Sequence, residues 1–89
     1  MKAVITVVGH DTVGIIAKVS HILSESNANI LDITQSVMGD IFAMVMLVNI
    51  EACTIKFTDL VDQMNALAAQ EGLQIHTMHE DIFNSMHRI

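Results

Sequence analysis

The segment that most restricts the fold is Ile41–Ile50, which is apolar on both parities. Ile41, Ala43, Val45 and Leu47 alternate with Phe42, Met44, Met46 and Val48. Successive side chains of a strand point to opposite faces, so a run of this kind seeks cover on both sides of its sheet. Lys2–Val8 is similar: an almost unbroken series of β-branched residues ending at Gly9, as expected of a central strand.

The cover comes from two stretches with helical spacing. From Val13 to about Ser26, Ile15, Ile16, Val19, Ile22 and Leu23 fall on one side, with Lys18, His21 and Glu25 opposite. From Thr54 or Thr58 to Gln70, Phe57, Leu60, Val61, Met64, Leu67 and Ala68 form a second apolar face, and Gly72 is a natural stop. Asn27, Ala28 and Asn29 break the first helix ahead of a strand over Ile30–Met38. Gly39 and Asp40 then make a tight turn that pairs this strand with Ile41–Ile50 as a hairpin. Leu73–His79 supplies the last strand, and Asp81–Arg88 reads as a short amphipathic helix through Ile82, Phe83 and Met86.

The order is strand, helix, strand, strand, helix, strand. It predicts an α+β, ferredoxin-like βαββαβ sandwich: a four-stranded antiparallel sheet with two helices on one face, plus a short C-terminal helix. The 89 residues, with no proline, are expected to form one domain, with a core over 1–80 and an amphipathic tail over 81–89. Two helices cover only one face of the sheet, so the other needs a partner subunit or the chain's own tail. A domain this small buries only roughly 60 to 65% of its unfolded surface, and 52% of these residues are apolar, which favours a homodimer.

Composition removes several functions hosted by this fold. The net charge is −6, and Lys2, Lys18, Lys56 and Arg88 are the only basic side chains besides histidine, so the phosphate-binding stripe of a nucleic-acid surface is missing. Three Phe, without Tyr or Trp, are too few aromatics for base stacking. The loop after the first strand lacks the cysteine pair of a copper carrier and the arginine of a phosphate-holding hydrolase. Ala3–Val8 is too short for a signal-peptide core, and no run approaches the roughly 20 apolar residues that span a bilayer. Cys53, the single cysteine, allows no internal disulfide, which makes the cytoplasm the expected compartment.

The remaining signal lies in Gly9-His10-Asp11-Thr12-Val13-Gly14-Ile15, followed by Asn27-Ala28-Asn29-Ile30 and Asp32-Ile33. These segments resemble the signature of ACT domains, over residues 1 to about 80. With the tail from His79 onward, the chain is similar to the small stand-alone ACT proteins of bacteria and archaea. The resemblance implies a non-catalytic regulatory module without cofactor, binding a small-molecule effector, an amino acid, where the first loop of one subunit meets the second-strand region of its neighbour. The ligand-binding residues it implies are Asp11, Gly14 and Asn29. Gly14 leaves a ligand carboxylate room to approach backbone amides at the helix start. Asp11 would take the ammonium, and Asn29 offers both a donor and an acceptor. A regulatory domain without an attached enzyme would act in trans on a protein target that the sequence does not name.

Each of these residues also has a structural use. Asp11 suits an N-cap, Gly14 close helix packing, and Asn29 a turn before a strand. Two other functions remain open: an interaction module without a small ligand, and a metal-dependent hydrolase built on His76, His79, Glu80, Asp81 and His87. His76 and His79 are three apart, which places them on opposite faces of a regular strand and weakens the second alternative.

Overall fold

A computed structural model describes residues 1–10 and 14–87. Its elements are β1 (Lys2–Gly9), α1 (Ile15–Glu25), β2 (Asn29–Met38), β3 (Ile41–Asn49), α2 (Phe57–Glu71), β4 (Gln74–His79) and α3 (Glu80–Met86). The four strands form one antiparallel sheet in the order β2-β3-β1-β4, the ferredoxin-like α+β arrangement.

β1 and β3 are the central strands, as their apolar runs require. Ala3 faces Val48, Ile5 faces Met46, and Val7 faces Met44, and these six side chains are buried beneath the helices. Ile15, Val19 and Leu23 of α1, with Leu60, Met64 and Leu67 of α2, close the core from above. The spacing of these residues, three or four apart, puts each trio on one stripe of its helix.

α1 begins at Ile15, two residues later than its apolar pattern suggests, because Gly14 at its N-cap is left-handed with φ 76°. At its other end Asn27 has φ 59° and donates from Nδ2 to the Ala52 carbonyl at 3.0 Å. The amide of Thr54 donates to the Ser26 carbonyl at 3.0 Å, so the α1–β2 turn is fastened to the segment after β3 at two points. Ser26 itself is buried. α2 stops at Gly72, and Gly39 and Asp40 form the two-residue turn between Met38 and Ile41, both as expected.

The face of the sheet away from α1 and α2 is treated unequally. α3 packs across β1 and β4. Val4 points to this face, between Leu47 and Met78, yet is only 4% exposed. The β3 side is left open: Val8, Ile41 and Val45 are each about two-fifths exposed, and Met38, opposite Ile41, more so. Of the two kinds of cover expected for this face, the chain's own tail supplies half. Among the described residues, no helix is long and apolar enough to cross a membrane.

Candidate functional site

The two ends of α1 carry the residues of interest, and they lie at opposite ends of the sheet. Gly14 is at the end where β1 finishes: Gly9 faces Phe42, which in turn faces Val37 near the end of β2. Asn29 opens β2 at the other end, opposite Asn49, which faces Lys2 at the start of β1. The 11 residues of α1 separate them, roughly 16 Å at 1.5 Å per residue. Gly14 and Asn29 of one chain therefore do not converge. Asp11 lies outside the described residues.

At the Gly14 end, the glycine is exposed, and among the described residues a Cβ built on it would meet only Lys18 Cε, at 3.9 Å. The space in front of the α1 N-terminus is open on the side of the described residues. No acidic side chain occupies the first turn, and Gly14 has no side-chain oxygen to cap the free amides, its carbonyl accepting from Lys18 N at 3.0 Å. The positive end of the helix dipole is thus uncompensated by α1 itself, which favours an anionic group there. Beside it, His10 Nδ1 is 3.5 Å from Asp40 Oδ2 in the hairpin turn, with both side chains well exposed. A concavity of about 330 Å³ lies at this end between Val8, Gly9, His10, Ile41, Gly72 and Gln74.

At the other end, Asn29 contributes to a shallow depression of about 420 Å³ along the α1–β2 side, with Ser20, Ser24 and Asn27 as its other polar residues. Of these, Asn27 is committed to Ala52. Asn29 is exposed, so it has amide capacity to offer.

Two residues with a part in shaping these ends were not singled out by their sequence. A Cβ at Gly9 would press on the end of the Leu73 side chain, which would have to shift to admit it, a contact that neither the end of the β-branched run nor the glycine's place in the first loop signals. Asn27 sits in the break between helix and strand, but its reach to Ala52 crosses to a segment 25 residues away.

The histidines and acids near the C-terminal end are divided between the two faces of the sheet. His79 stacks on Phe57 of α2, ring centroids 4.1 Å apart, whereas His76 projects from the open face. His87 stacks on Phe83 at 4.2 Å. Among the described residues, no group of three or more His, Cys, Asp or Glu converges as a metal site. Cys53 is half-buried, and burial pushes its thiol up from the ordinary value, opposite to the shift that activates a nucleophile.

Comparison with known proteins gives the relationship. A UPF0237 protein of Clostridium perfringens is 51% identical over 89 residues, the full length of both chains. A UPF0237 protein of Methanocaldococcus jannaschii is 44% identical over 88 residues, covering 99% of this chain and 98% of that one. An ACT domain protein from Streptococcus pneumoniae superposes with a TM-score of 0.80 at 37% identity, covering 93% of each chain. Residues 2–78 match the ACT domain family, whose members are in general regulatory, ligand-binding modules. With the match running from the start of β1 into β4, the last strand of its sheet, the chain belongs to the ACT domain family.

Proposed function

We propose that this protein is a non-catalytic regulatory module that binds an amino acid as a homodimer, with each site split between two subunits. The observation that carries the reading is the β2 edge. Among the described residues β2 pairs only with β3; it runs for ten residues and carries one charged side chain, Asp32. An exposed strand of that length with so little charge is a template for pairing with another strand.

A two-fold axis through the middle of β2 would pair it antiparallel with its copy. The start of β2 in one subunit then approaches the end of β2 in the other. That is the end of the sheet where β1 finishes and Gly14 starts α1. The pairing accordingly supplies the convergence that one chain lacks, bringing Asn29 of the partner subunit toward the first loop. A zwitterion suits such a site. Its carboxylate would meet the amides at the α1 N-terminus, and its ammonium would meet Asp11, with the amide of the partner's Asn29 completing the set. The ligand would act by changing the rigidity or shape of the dimer and hence its affinity for another protein in trans.

The test has two arms. Light scattering of the purified protein at micromolar concentration is expected to give a dimer, and Thr34→Lys, a charge on the bare edge, to give a monomer. Thermal unfolding against the twenty amino acids is expected to show a selective rise, about 2.7 kcal/mol at a hundred times the dissociation constant. A wild-type monomer overturns the edge interface, and a dimer that no amino acid stabilises overturns the ligand.

A further inference from the structure

α3 creates a groove on the open face that belongs to neither end of α1. About 270 Å³ in volume, it is lined by Thr6, His76, Met78, Phe83, Met86 and His87. Two imidazoles and two thioethers therefore border one small space, without a carboxylate among them. His76 and Met78 are two residues apart on β4 and so share a face, opposite Thr6 and Val4 of β1. Met86 and His87 come from the end of α3.

The chemistry of that set is selective. Thioether sulfur is a soft ligand that holds Cu(I) and is a poor partner for Mg²⁺ or Ca²⁺, which take oxygen. The orientation of His87 adds a second, independent feature. Its Nδ1 lies 2.9 Å from the Phe83 carbonyl oxygen. A carbonyl only accepts, so this contact selects the tautomer with the proton on Nδ1, which in the neutral ring leaves the lone pair on Nε2. Metal-binding histidines are typically held in this way, with the second ring nitrogen donating to a backbone carbonyl or carboxylate. The Phe83 ring stacked at 4.2 Å fixes the imidazole plane as well.

We propose that His76, Met78, Met86 and His87 form a binding site for a soft monovalent metal ion, Cu(I), on the open face of the sheet. Met86 is well exposed, and its unbranched side chain swings onto an ion without moving the backbone. The site needs only one subunit, so it stands or falls independently of the amino-acid site.

The experiment uses the full chain carrying Cys53→Ser, because the single thiol would otherwise compete for a soft ion. Protein labelled with ¹³C at the methionine methyls is titrated with Ag(I), a redox-inert substitute for Cu(I), and then with Cu(I) under anaerobic conditions against a chromogenic chelator. The expected result is saturable binding of one ion per chain, with the Met78 and Met86 methyl signals moving and the remaining methionines still. Replacing both by leucine, Met78→Leu with Met86→Leu, conserves volume and so preserves the fold. It should weaken binding roughly tenfold or more, the scale on which even loss of an orienting partner weakens a metal site. His87→Asn should weaken it as well. Binding that leaves these two methyls unmoved overturns the proposal, as does an affinity unchanged by the double leucine variant or the absence of saturable binding.

Discussion

Replacing Gly14 separates backbone strain from occupied space at the α1 N-terminus. With φ at 76°, any residue with a Cβ is strained there, whereas the nearest atom to that Cβ among the described residues, Lys18 Cε at 3.9 Å, is at ordinary contact distance. The cost of Gly14→Ala is therefore conformational, about 1–2 kcal/mol for an L-residue in the left-handed region. For a domain of this size each kcal/mol corresponds to about 4–8 °C, so the alanine variant should melt roughly 5–15 °C lower. Gly14→Val should lose at least as much, since branching at Cβ makes the region less accessible still. Gly14→Asn should lose less, because asparagine enters this region readily. The ligand experiment follows from that ranking. The valine variant confounds an emptied site with a weakened fold, and the asparagine variant does not. It keeps the backbone conformation and fills the space a carboxylate would use. Circular dichroism melts of the three variants check the series. An alanine variant as stable as the wild type would refute the left-handed assignment and everything built on the openness of this end. If the asparagine variant binds an amino acid as tightly as the wild type, the carboxylate is held elsewhere.

Ending the chain at His79 removes α3 and exposes Val4 on the open face. Loss of a buried valine costs about 1.5–3 kcal/mol, so the truncated protein should keep its sheet and helix signal in the far ultraviolet but melt earlier; an unchanged melting temperature would show that α3 does not cover β1. Glu51 gives a pH test. The Met1 ammonium donates to its carboxylate at 2.9 Å, and that hydrogen bond, followed by the attraction of the charges, lowers the Glu51 carboxyl from its ordinary 4.5. A folded-state value below the unfolded one adds stability above about pH 4.5 that is lost as the pH falls through the depressed value. Both groups are exposed, so Glu51→Gln should barely alter the melt at neutral pH and should flatten its decline in acid. An equally steep acid decline in the variant would remove the pair from the account.

The sequence was most informative where local chemistry decides structure. Gly72 stops α2 and Gly39-Asp40 turns the hairpin because those tasks depend on the residues themselves. The two central strands were legible because burial on both faces leaves no polar alternation in Lys2–Val8 or Ile41–Ile50. The apolar pattern starts two residues ahead of α1 because Gly14, inside it, is left-handed, a conformation that periodicity does not signal. What could not be read was distance across the sheet. Gly14 and Asn29 are near in sequence, yet α1 carries the chain roughly 16 Å between them. The groove beside α3 was hidden for a related reason. Met86 and His87 meet His76 and Met78 only because α3 turns back over β4, and periodicity gives no direction to such a return.

The separation of Gly14 from Asn29 has a thermodynamic consequence for a ligand that needs both. A site completed by a second subunit exists only in the dimer, so the ligand must favour dimerisation by the same free energy with which dimerisation favours the ligand. Apparent affinity should then fall as the protein is diluted toward its dimer dissociation constant, and the ligand should hold the dimer together at concentrations where the free protein separates. A site within one chain would show neither effect. The β2 edge is the physical basis proposed for the coupling. Among the described residues no strand pairs with its outer side, its side chains offer a single charge to oppose pairing, and its two ends lie where the proposed site would have its two halves. Under the proposed reading, a protein sensing the dimer in trans would need only to distinguish a paired edge from a bare one, and the row of amides and carbonyls proposed to recruit the second copy would also define the signal.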